Sequence, residues 1–264
     1  MKDSITRERT KQNRRHPAVQ LGAVLFWLLL WQVASTAVGL PLLLPSPLRV
    51  LARLKELGST WSFWETVLCS LRRILIGFIT GVTAGALLAV AAWAVELVEA
   101  LARPMLGVLK ATPVASFIIL ALVWVESDAL ASLISFIMVL PVVYHNVREG
   151  LDAVDGQLLE MAHAFSLSRW KIVRCCYLPA LVPFVLSALT SALGLAWKSG
   201  IAAEVLGRPV RAIGRQIYDA KIYLETEDLF AWTLVVILLS ILLEKLVTVL
   251  LGRLSRSRAR RAKG

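Results

Sequence analysis

Charge is what this chain has least of. Only 18% of its 264 residues are Asp, Glu, Lys or Arg, while 58% are hydrophobic and the mean hydropathy is +0.70. Soluble domains carry roughly 25% charged residues. The shortage excludes an ordinary soluble domain and sets the chain in a lipid bilayer. Cysteine is equally scarce: Cys69 stands alone, and Cys175 adjoins Cys176. Neighbouring cysteines bridge poorly, so no disulfide framework is expected, and no metal-ligand spacing accompanies them. The three histidines, His16, His145 and His163, fall in the N-terminal tail or at span ends. That placement argues against a buried catalytic triad or a metal cluster, hence against an enzyme. No G-x-x-x-x-G-K-[ST] run occurs, so nucleotide must be bound elsewhere and no cofactor is expected in this chain.

What is present is a series of charge-free runs at 17–48, 74–95, 111–125, 129–147, 175–197 and 229–243. A spanning helix needs roughly 20 mostly apolar residues, which four of the runs supply directly. The third reaches that length if extended back to Met105, and the last if extended past Glu244 and Lys245 to Leu251 with those charges at the headgroups. The expectation is an all-α polytopic membrane protein of six transmembrane helices. It has one transmembrane domain over 18–251 between basic tails at 1–17 and 252–264. Each tail carries six Lys/Arg, which places both termini in the cytoplasm, as an even number of spans requires. A cleaved signal peptide is the alternative for the first run. A signal core is roughly 7 to 15 residues, whereas this run stays uncharged to Leu48, so an uncleaved first helix is expected. The net charge of +11 resides mostly in the tails, which reads as topology signals near anionic lipid and not as a nucleic-acid site.

Arg49, Arg53, Lys55, Arg72 and Arg73 cluster around the first external segment, against the positive-inside tendency. Arg72 and Arg73 are therefore expected to be held by protein. Pro41, Pro45 and Pro47 lead into an amphipathic external segment at 48–58, and Glu126 and Asp128 read as an external turn. Trp61, Trp64, Trp93, Trp124 and Trp232 lie near span ends, where indoles anchor at the headgroups. Gly77, Gly81 and Gly85 repeat every four residues, a small-residue face that admits a second helix, within the subunit or across a dimer.

The polar interval 152–179 reads DAVDGQLLEMAHAFSLSRWKIVRCCYLP. With 157–165 helical, Leu158, Met161, Ala162 and Phe165 form one apolar stripe at i, i+3, i+4 and i+7. Ser166 and Ser168 interrupt it, and a second short helix is expected from Arg169.

Glu160, Ala162, the turn residue Ser166 and Leu178-Pro179 keep the spacing of the EAA motif, Glu-Ala-Ala, three residues, Gly, nine residues, Ile, one residue, Leu-Pro. The chain resembles the membrane subunits of ABC importers that carry it. It departs at Met161 for Ala, Ser166 for Gly and Cys176 for Ile. Pro45-Ser46-Pro47, Ser70-Leu71-Arg72-Arg73 before Gly77-Phe78, Ala196-Trp197 and Ala202-Ala203-Glu204 look like the nitrate, sulfonate and taurine branch, in matching order. Val125-Glu126-Ser127 replaces that branch's apolar, glycine-containing stretch.

The resemblance implies a type I importer permease fold in a bacterial cytoplasmic (inner) membrane. It also implies a homodimer forming the path, cytoplasmic ATPase subunits that bind ATP, and an extracytoplasmic solute-binding protein. Loop 150–177 would be the ATPase-coupling loop, with Leu158, Glu160, Met161, Ala162, Phe165, Ser166, Leu178 and Pro179 as its residues. A surface-lying amphipathic connector is the plainer reading of the same loop. Trp197, which closes the fifth span, and Lys198, Ser199 and Glu204, which follow it, are the candidate path residues. Lys198 could attract an anionic solute, or snorkel to the outer headgroups. An ATP-independent six-span secondary transporter or channel is the alternative; it would need ionisable groups inside the membrane, and the runs are clean.

Overall fold

The computed structural model describes residues 17–261, so the tail cations at 1–16 and the residues 262–264 lie outside it. The described chain is helical throughout. Helix α1 (Pro17–Val38) stops at Gly39, whose φ of +66° a residue with a Cβ reaches only with strain. Ser46 caps α2 (Pro47–Gly58), accepting the Arg49 N–H, and Pro47 opens it with its fixed φ. The amphipathic external segment is this helix.

Helix α3 (Trp61–Ala94) has 34 residues, roughly 51 Å at 1.5 Å per residue, well beyond a bilayer core. It begins long before the charge-free run at 74, so Arg72 and Arg73 lie inside a helix. After an extended Val95 come α4 (Glu96–Ala111) and α5 (Val114–Ala121), bent by 102°. The third span, expected over 105–125, is therefore a bent pair and not a straight helix. Pro113 drives Thr112 out of the helical region, to φ −82° and ψ 129°, and no single rod survives there. Among the described residues five helices are long and apolar enough to span, and six only if the bent pair is one span.

Helix α6 (Ser127–Asp152) is the hub, packed between α3 and α9 (Leu178–Gly207). Its approach to α3 is what the glycine repeat serves. A Cβ at Gly81 would stand 2.9 Å from Val139 Cβ, and one at Gly85 would stand 2.7 Å from the Leu140 carbonyl oxygen. The stripe therefore works inside the subunit.

Helices α7 (Gly156–Ala164) and α8 (Arg169–Ile172) lead through a π turn, Val173–Tyr177, into α9. Pro179 has no N–H for the Cys175 carbonyl and its ring crowds that oxygen, so a wider turn fits here. Helix α10 (Ile213–Ile222) and α11 (Thr226–Arg261) complete the chain.

Of the expected headgroup anchors, Trp61, Trp64, Trp93 and Trp124 are exposed, but Trp232 is buried. It stacks on Phe63 at 5.0 Å between centroids, a core role that its place near a span end concealed. No residue of α1 along 21–38 is fully buried. Only its C-terminal half is tied down, by Trp31 Nε1–H donating to the Pro45 carbonyl and by Trp31 stacking on Phe230.

Two arginines of α2 are paired with the start of α11. Arg53 clamps Asp228 through two N–H donors, and this hydrogen-bonded carboxylate, with Glu56, raises its pKa above the usual arginine value. Arg49 faces Glu227 at 3.5 Å. The clamp fixes α2 across the start of α11.

Candidate functional site

The loop between α6 and α9 folds as a helix, a turn and a short helix. Asp155 starts α7 by accepting the Gln157 N–H at 2.9 Å. At its end the Ser166 N–H reaches the His163 carbonyl at 2.8 Å, and the Leu167 N–H reaches that of Ala162 at 3.0 Å. These are the two bonds of a Schellman motif, which needs a left-handed residue at the first position past the cap. Ser166 supplies it, with φ +50°. The turn geometry associated with glycine is thus reached by serine, under strain.

The stripe divides. Leu158, Met161 and Phe165 are exposed, Phe165 by 73%, and Glu160 is exposed beside them. Ala162 is buried, packed with Ile172 and Cys176 and flanked by Val154, Leu159, Leu167 and Tyr177. Ala162 therefore anchors the loop inward and is removed from the outward stripe. Its place one turn from Leu158 on a nine-residue helix hid this, because the turn folds α8 back under that side. Leu178 and Pro179 begin α9 and Ser166 shapes the turn, so these three position the loop and do not extend its apolar face. Sequence reasoning missed Trp170, 73% exposed on α8; an unassigned indole in a polar interval was the available signal. It also missed the support under the loop, where Arg148 of α6 reaches Glu99 of α4 at 3.4 Å and pairs with Asp152.

The four candidate path residues do not share a surface. Helix α9 continues to Gly207, so they lie within it, not after it. Trp197, Ser199 and Glu204 turn into the protein, and Lys198 alone is exposed. Trp197 Nε1–H donates to the Val236 carbonyl of α11 at 3.1 Å, and Ser199 Oγ–H to the Ala196 carbonyl of its own helix.

Glu204, fully buried, belongs to a polar cluster at the end of the bundle opposite α7. Its Oε2 accepts from Ser70 Oγ at 2.8 Å and from the Gly214 N–H at 3.2 Å. Ser70 Oγ also accepts the Ile213 N–H at 2.9 Å. Its Oε1 has no hydrogen-bond donor and lies 3.7 Å from Arg73 NH1. Arg73 donates instead to Asp128 Oδ1 at 2.6 Å and to the carbonyls of Val210 and Arg211 at 2.9 and 3.1 Å. Arg73 is thus held by protein as expected, whereas Arg72 is exposed. Asp128 is corrected from a plain turn residue to an ion-pair partner. Ionisable groups do meet between these helices, which the clean runs did not suggest.

The family described as binding-protein-dependent transport system inner membrane component matches residues 81–260. Among curated relatives, a putative aliphatic sulfonates transport permease protein of Bacillus subtilis is 26% identical, covering 87% of this chain and 83% of that one. The taurine transport system permease protein of Escherichia coli is 24% identical, covering 81% and 80%. The riboflavin transport system permease protein of Chloroflexus aurantiacus is 28% identical, covering 91% and 93%. Among solved structures, an amino acid ABC transporter chain superposes with a TM-score of 0.54 at 18% identity, covering 73% of this chain and 90% of that one. That likeness concerns the fold.

Proposed function

The chain belongs to the binding-protein-dependent transport system inner membrane components, and from that premise we propose that it couples solute passage to a cytoplasmic ATPase through the outward face of α7. It is a multi-pass membrane permease of the nitrate, sulfonate and taurine branch of ABC importers. In the proposed assembly two copies of the 18–251 domain form the path, two ATPase subunits bind ATP, and an extracytoplasmic protein delivers solute. Both termini and α7 face the cytoplasm, and the Arg73–Glu204 end faces out.

One observation carries the coupling proposal: Leu158, Met161 and Phe165 stand exposed on a capped helix, over an inward anchor of Ala162, Ile172 and Cys176. Exposed apolar side chains on a pinned helix fit a groove in a partner, with Glu160 at its rim. Because Ala162 packs on Ile172 and Cys176, with Val154 and Tyr177 beside them, a push on α7 would be passed to the start of α9. The cargo proposed is a small organic or inorganic anion. The relatives' names support it only partly, since riboflavin stands beside taurine and sulfonates.

The test is Phe165→Asp, which places a charge on the proposed contact while leaving Ala162 and the turn intact. Solute-stimulated ATP hydrolysis by the purified transporter should fall to background with membrane insertion unchanged. Stimulation persisting at the wild-type level would refute coupling through this face.

A further inference from the structure

We propose that Arg73 is a positioning residue for transport: it trades between Asp128 and Glu204, and so holds or frees the hairpin between α9 and α10. The proposal rests on the permease reading above. Four observations carry it. Arg73 faces two carboxylates on different elements, hydrogen-bonded to Asp128 of α6 at 2.6 Å and in looser ion-pair contact, without a hydrogen bond, with Glu204 of α9 at 3.7 Å. The waiting oxygen, Oε1, is buried without a donor, so a small swing of the guanidinium would satisfy it. The hairpin is gripped from both sides: Arg73 takes the carbonyls of Val210 and Arg211, while Glu204 and Ser70 take the amide groups of Gly214 and Ile213. And the gripped segment is strained, with the non-glycine residues Arg208 and Arg211 left-handed at φ +51° and +53°.

A buried carboxylate that served only as a staple would be best stabilised with every lone pair satisfied. Here one oxygen is left short of a cation that is bonded instead to an aspartate 66% exposed to solvent. Two alternative partners, one buried and one exposed, make a two-position element, the kind on which a helix shift can act. Helices α3, α6 and α9 all contribute a group, so relative motion of any one changes which carboxylate holds Arg73. Gly214 keeps the grip tight, because a Cβ there would stand 2.5 Å from Glu204 Cβ.

The experiment uses a single thiol on the hairpin. In a chain carrying Cys69→Ser, Cys175→Ser and Cys176→Ala, Val210→Cys places the reporter at a residue 62% exposed, whose backbone carbonyl remains for Arg73. Its reaction with a membrane-impermeant maleimide is timed in the assembled transporter, nucleotide-free and vanadate-trapped. The rates should differ about tenfold, as when a minor state rises from ~1% to ~10%. Asp128→Asn or Arg73→Lys should bring that ratio near unity with the transporter still assembled. Equal rates in the two states, with solute still stimulating ATP hydrolysis, would overturn the latch and leave the permease reading standing. A chain that assembles with no ATPase would overturn both. The comparison between states needs no change in the latch itself, so a poorly folding Arg73 variant does not decide the outcome.

Discussion

Replacing Ser166 with glycine isolates the cost of the turn that aims α7. At φ +50° the serine Cβ crowds its own carbonyl, which costs an L residue about 1–2 kcal/mol. Glycine escapes that cost but surrenders about 0.5–1 kcal/mol in chain entropy when it folds. Among the described residues the hydroxyl has no hydrogen-bond partner to offset the loss, so Ser166→Gly should stabilise the turn by about 0.5–1 kcal/mol. Ser166→Ala keeps the Cβ and should be neutral within about 0.5 kcal/mol, while Ser166→Val adds a branch where left-handed backbone tolerates it least. The readout is hydrogen exchange at the Leu167 amide, which bonds to the Ala162 carbonyl at 3.0 Å and is released only when the turn opens. Corrected for intrinsic rates, its protection should rise about two- to fivefold with glycine and fall with valine. Protection that falls with glycine, or is untouched by valine, would refute the claim that this residue stores strain.

Gly81→Ala should destabilise the subunit by about 1–3 kcal/mol in thermal unfolding, since its Cβ would press on Val139 and on the Phe136 carbonyl at 2.9 and 3.0 Å. Gly107→Ala meets nothing within 4 Å and should be neutral or mildly stabilising, so equal effects at the two sites would dismiss close packing of α3 on α6. Arg53→Ala and Asp228→Ala, combined in a double-mutant cycle, should show a coupling of about 1 kcal/mol, modest because Arg53 is 37% exposed though its fork is two-pronged. Additive effects would mean that the clamp adds nothing to the hold that Val50, Pro47 and the Arg49–Glu227 pair already give α2.

The elements that periodicity and composition describe were legible without coordinates. Helix α7 followed from its apolar spacing and differs from 157–165 by one residue at each end. The charge-free runs located five spans, because a bilayer tests each segment separately and asks only for length and few charges. Where reading failed, the deciding partner lay far along the chain. Trp232 resembled a headgroup anchor until Phe63 was placed against it. Asp128 resembled a turn residue until Arg73 reached it, and Ala162 looked outward until α8 folded beneath it. The break at Pro113 was visible as a residue, yet a bend of 102° depends on what α5 packs against.

Amino-acid order was enough to establish an all-helical membrane chain with a short amphipathic helix between two of its spans. Hydropathy, capping residues and motif spacing are local properties, and they act within one helix. Helix packing settles which face of α7 is free, which tryptophan is core, and that Arg73 stands between Asp128 and Glu204. Those are outcomes of how helices cross, and a charge distant along the chain becomes a partner only when packing brings it within a few ångströms. The run holding Ile74 looks clean only because it is counted from the residue after Arg73, while the helix that carries both begins at Trp61.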